Sequence, residues 1–68
     1  MISWHGKNAD LYRTKIDGLI VEAERVEGSW WAVVSTGTHY RARGPISCLD
    51  AAMDAAAQIA HDLAATKA

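Results

Sequence analysis

From residue 11 to residue 43, apolar and polar side chains alternate with a period of two, interrupted by short turn signals. That is the pattern of half-buried β-strands. LYRTKI (11–16) and LIVEAERV (19–26) flank Asp17-Gly18. Such a pair readily adopts the positive φ that a type I′ hairpin turn needs at both central positions. A two-residue loop sets Ile16 opposite Leu19, Thr14 opposite Val21 and Tyr12 opposite Ala23, all on one face. Arg13 then meets Glu22 on the other face.

The next stretch, EGSWWAVVSTG (27–37), places two tryptophans side by side. Successive strand side chains point to opposite faces, so only one of Trp30 and Trp31 can enter a core on one side of the sheet. A Gly28-Ser29 turn and a three-residue Glu27-Gly28-Ser29 loop differ by one step, and that step flips the whole strand. The following HYRAR (39–43) discriminates between the two. Tyr40 and Ala42 are cheaper to bury than His39, Arg41 and Arg43. A Gly37-Thr38 turn pairs Ser35 with Tyr40 and Val33 with Ala42. On this reading Trp31, Val33 and Ser35 face the core, and Trp30, Ala32 and Val34 face outward.

Gly44-Pro45 is expected to end the sheet. A helix follows, with Ser47 as N-cap, Asp50 as its capping-box partner and Ile46 as a hydrophobic staple. Leu49, Ala52, Met53, Ala56, Ile59, Ala60 and Leu63 recur at helical spacing as one apolar stripe, mostly alanine, which suits close approach to a sheet. Asp50, Asp54, Gln58, His61 and Asp62 fall on the solvent side. Residues 1–10 read either as an arm carrying Trp4 or, over Ile2 to His5, as an extra short strand. The expected fold class is α+β: an antiparallel β-meander of three to four strands with one C-terminal α-helix packed on one face. Residues 1–68 form a single small domain.

Composition narrows the function classes. Half of the 68 residues are hydrophobic, which favours a folded chain. Lys plus Arg number 7 and Asp plus Glu 8, so no global field points to nucleic acid or anionic lipid. A single cysteine excludes an internal disulfide. No apolar run approaches the ~18 residues of a membrane span, and the first ten residues lack a signal-peptide core. The expectation is a soluble cytoplasmic protein without a membrane partner.

Candidate chemistry is sparse. Cys48 sits at the start of the helix, where backbone N–H groups favour a thiolate. A nucleophile also needs a base within reach, and His61 lies thirteen residues along the same helix, about 20 Å away. His5, His39, Cys48 and His61 are chemically able to bind zinc, but their spacing matches no zinc motif. No phosphate-loop, dinucleotide or hydrolase signature is present. The chain is therefore read as non-enzymatic, with no metal and no cofactor.

Binding is the better-supported class. A lone helix leaves one sheet face open, and this register gives that face Trp30, Val34, Arg41 and Arg43 as its binding residues. Ala32, Val26 and Ile20 lie beside them. An aromatic anchor with arginines is the usual composition of a protein interface. The acidic helix face, Asp50, Asp54 and Asp62, is the alternative site. An aromatic and basic sheet face can also stack nucleic-acid bases, but Glu22 and Glu24 share the face and oppose direct nucleic-acid binding. A second copy of the chain is a further candidate occupant.

Over residues 27 to 65, through WWAVVSTG and GPISCLDAAMDAAAQIAHDL, the chain resembles small proteins encoded by bacteriophages and prophages, the anti-CRISPR proteins among them. The resemblance lies in turns, aromatics and alanines, and carries over no functional residues. It implies a stoichiometric inhibitor in the host cytoplasm that binds and blocks a host protein or ribonucleoprotein complex.

Overall fold

A computed structural model describes residues 3–65. It contains strands β1 (His5–Asn8), β2 (Leu11–Ile16), β3 (Leu19–Val26), β4 (Ser29–Ser35) and β5 (Tyr40–Ile46), followed by helix α1 (Leu49–Ala65). The strands form one antiparallel sheet in the order β1-β2-β3-β4-β5, so each strand bonds to its neighbour in sequence. The fold is α+β as expected, with five strands rather than three to four. The additional strand is β1, whose His5 pairs with Arg13 and Gly6 with Tyr12. Ile2, part of the expected extra strand, lies outside the described residues. Trp4 packs against the core instead of leaving it as a free arm.

The first hairpin has the expected register throughout. Ile16, Thr14 and Tyr12 stand opposite Leu19, Val21 and Ala23. Asp17 and Gly18 both take positive φ, 52° and 80°. Buried Thr14 resolves its polar group locally: its hydroxyl donates to the Ser3 carbonyl at 2.7 Å. On the opposite face Arg13 and Glu22 form an ion pair at 2.7 Å.

The second hairpin corrects the sequence reading. Its turn is Glu27-Gly28, with φ of 52° and 82°, so it repeats the geometry of Asp17-Gly18 and pairs Val26 with Ser29. Neither of the two expected loops forms, and the strand is inverted relative to the expectation. Trp30, Ala32 and Val34 point into the core, at 9%, 0% and 0% exposure. Trp31, Val33 and Ser35, expected inside, alternate onto the other face and are only half-buried. The expected pairing of Ser35 with Tyr40 and Val33 with Ala42 does form, but these pairs lie outside. Tyr40 is 72% exposed.

Strand β5 does not stop at Gly44-Pro45, where the sheet was expected to end. It runs to Ile46 through a β-bulge: Ala32 pairs with Arg43 and Trp30 with Ile46, so two steps on β4 match three on β5. The extra residue changes the parity of the strand. Ile46 therefore joins the core opposite Trp30, and Pro45 is left on the exposed side. The Gly44-Pro45 peptide is cis.

Helix α1 begins one residue later than Ser47 as N-cap implies. Its first intrahelical bond runs from the Ala52 N–H to the Cys48 carbonyl, which makes Cys48 the cap residue. The stripe meets the sheet as expected. Ala52, Ala56, Ile59 and Ala60 are buried, and Leu49, Met53 and Leu63 pack at its margin. The alanines bring the helix close over Leu19, Val21, Ala32 and Val34. At one end the gap is filled by Trp30, with Tyr12 tilted against it at 6.3 Å between ring centroids. No helix among the described residues is long and apolar enough to cross a membrane.

Candidate functional site

The face that α1 leaves open follows directly from the strand registers. One row across it holds Lys15, Ile20, Ser35 and Tyr40; the next holds Arg13, Glu22, Val33 and Ala42. A third holds Leu11, Glu24 and Trp31, and Val26 with Ser29 lie below. An antiparallel sheet with one solvated face normally alternates apolar-in and polar-out. Strand β4 departs from this rule, carrying Trp30, Ala32 and Val34 inside and Trp31 and Val33 outside. The large hydrophobics exposed among the described residues, Ile20 (38%), Val26 (46%) and Tyr40 (72%), belong to the same open face.

Part of that face is concave. A groove of about 480 Å³ is lined by Glu24, Val26, Glu27, Ser29, Trp31, Val33, Ala42 and Pro45. Its position is set by the bulge. Gly44 lets the backbone of β5 approach the Trp31 indole, and a Cβ there would lie 2.6 Å from Cε3 of Trp31. The indole thus lies over the bulged backbone, with Pro45 and Val33 on the groove wall. The charged side chains in the lining are Glu24 and Glu27. Both are exposed, and neither takes part in the ion pairs of the described residues, which join Arg13 to Glu22 and Arg25 to Asp10.

A second depression of about 430 Å³ lies at the β1–β2 side, lined by Ser3, His5, Lys7, Arg13, Thr14 and Lys15. The open face is consequently basic toward β1 and β2, and apolar toward β3, β4 and β5, where Glu24 and Glu27 have no ion-pair partner among the described residues. No group of three or more His, Cys, Asp or Glu among the described residues is placed to hold a metal ion.

The chain matches no family model, no curated protein and no solved structure.

The residues expected to form the binding face are not brought together on it. Trp30 is a core residue beneath the helix, closed over by the Arg25 guanidinium at 5.6 Å from the ring centroid. Arg25 is held there by Asp10, which accepts from its Nε at 2.7 Å. Val34 is fully buried. Arg41 and Arg43 pair with Val34 and Ala32, so they project from edge strand β5 toward the helix side, where both remain exposed. Asp50, Asp54 and Asp62 are exposed on α1, and Gln58 donates to Asp62 at 3.2 Å. Cys48 is exposed at the helix start. Trp31, Val33, Ala42, Pro45, Glu24 and Glu27 were missed as a site. The available signal was Glu27-Gly28 itself, a two-residue turn of the same form as Asp17-Gly18.

Proposed function

We propose that the protein is a non-enzymatic macromolecular-binding protein that engages a partner protein through the open sheet face centred on Trp31. The observation that carries this reading is the two-sided apolarity of β4. Trp31 and Val33 sit among exposed Ile20, Val26 and Tyr40 on a face that no element of the described residues covers. Contiguous exposed apolar surface with a polar rim is characteristic of interaction sites. The sheet edges are poor alternatives for strand addition. Edge strand β1 is four residues long and irregularly paired, and β5 carries Pro45, two arginines and the bulge. The resemblance to phage-encoded inhibitors extends the proposal to blockade of a host protein or ribonucleoprotein complex.

The test is retention of partners from bacterial lysate by the tagged chain, with and without nuclease, compared with Trp31→Ala and Val33→Glu. The parent should retain a partner after nuclease, and both variants should lose it while keeping the parent's circular dichroism. Retention that survives both substitutions would overturn the open-face site and move attention to Asp50, Asp54 and Asp62. Retention abolished by nuclease alone would instead favour the nucleic-acid-binding reading.

A further inference from the structure

The groove has a chemical signature more specific than apolarity. Its floor is the half-buried Trp31 indole, its walls are Val26, Val33, Ala42 and Pro45, and its charges are Glu24 and Glu27. Glu24 stands directly across β3 and β4 from Trp31, on the same face. Glu27 occupies the first central position of the turn just beyond. The nearby cations are engaged elsewhere: Arg13 with Glu22, and Arg25 with Asp10 on the helix side. An electron-rich ring beside two carboxylates that have no ion-pair partner among the described residues complements a long side chain with an aliphatic stem and a cationic head. Such a stem covers apolar surface while its head reaches outward. The head gains from both the ring quadrupole and the carboxylates.

We infer that the groove over Trp31 takes an arginine- or lysine-bearing segment of a partner protein, its stem on the indole and its cationic head toward Glu24 and Glu27. This inference rests on the open-face reading and adds the chemistry of the partner. It disfavours a polyanion in this groove, because a phosphate backbone would face two carboxylates. A second copy of the chain is the competing occupant, because its open face carries Lys7 and Lys15 on the β1–β2 side, and dimerisation is therefore one of the outcomes of the test.

The experiment titrates the full chain with a short amidated peptide alternating arginine and proline. Its controls are the same peptide with glutamate for arginine and a single-stranded oligonucleotide, with tryptophan emission as readout. The arginine peptide should bind, weaken as salt rises, and bind about tenfold less tightly to Glu24→Gln with Glu27→Gln, as expected when two charge-assisted contacts are lost together. These isosteric changes leave the core untouched, so the circular dichroism should match the parent. Failure of the arginine peptide to bind would overturn the inference, as would unchanged affinity in the double variant or equal binding of either control. Concentration-dependent dimerisation of the parent that blocks the groove would also overturn it. If Trp31→Ala loses a lysate partner that the double glutamine variant keeps, the open-face function stands and the basic-segment inference falls.

Discussion

Gly44 lies against Trp31 so closely that a Cβ on Gly44 would fall 2.6 Å from Cε3 and 2.7 Å from Cδ2 of the indole. It would also lie 3.1 Å from the Trp30 carbonyl, so relief requires movement of backbone as well as ring. Gly44→Ala should displace Trp31 and destabilise the fold by about 1–3 kcal/mol, the usual cost of overpacking. Thermal melts measure the loss, and a change in tryptophan emission reports the displaced ring. A variant with parent stability and parent emission would refute the close contact.

The two tryptophans should differ sharply on truncation. Trp30 is 9% exposed and contacts Tyr12, Ala23 and Ala52, so Trp30→Ala should cost about 3–5 kcal/mol. That is a large part of the stability of a domain this small. Trp31 is half-buried on the open face, and Trp31→Ala should cost less than half as much. Denaturant titration of both variants decides the order, and a reversed order would contradict the orientation of β4.

Glu27 holds φ of 52°, a region that side chains other than Asn, Asp and Gly rarely adopt. Glu27→Asn should therefore raise stability by about 0.5–1 kcal/mol through the turn. The same substitution removes one groove carboxylate. A higher melting temperature together with weaker binding of the arginine peptide is the expected pair of outcomes. A drop in melting temperature would argue against the Glu27-Gly28 turn.

Ala56 has no exposure and sits where α1 lies over β3 and β4. Ala56→Leu should push the helix from the sheet, at about 1–3 kcal/mol. Calorimetry or a urea midpoint would show it. Cys48→Ser, by contrast, places a capping hydroxyl at the exposed N-cap of α1 and should raise stability by about 0.5–1 kcal/mol, read as a higher melting temperature.

Where the sequence could be read, local chemistry and global packing agreed. Asp17-Gly18 has only one economical turn, and the pairings it implies put Leu19 and Val21 inside together. The alanine stripe of α1 has only one apolar side. The second hairpin is harder to read because Glu27 is an unusual residue for a left-handed position, while a Gly28-Ser29 turn and a Glu27-Gly28-Ser29 loop are both plausible by composition. Tyr40 and Ala42 discriminate between those loops only on the premise that buriable residues are buried. That premise is weak on an edge strand, where long arginine stems can lie beside the helix with their heads in water. The inversion of β4 exchanged Trp30 for Trp31 and hid the groove. The parity change at the bulge was equally hidden, since nothing in Gly44-Pro45 alone states that Ile46 rejoins the core.

The order β1-β2-β3-β4-β5 also bears on how the chain reaches its native state. Every sheet contact joins strands adjacent in sequence, and three of the hairpins close over two-residue connections, Ala9-Asp10, Asp17-Gly18 and Glu27-Gly28. Contacts between near neighbours keep loop-closure entropy low and favour rapid folding, with hairpins forming in about 1–10 μs. Docking of α1 onto β3 and β4 is the step that joins distant parts of the sequence. Until it occurs, Leu19, Val21, Ala32 and Val34 face water on one side of the sheet while Trp31 and Val33 face it on the other. A sheet apolar on both sides would be prone to self-association, so a variant that slows helix docking should aggregate more during refolding than the parent.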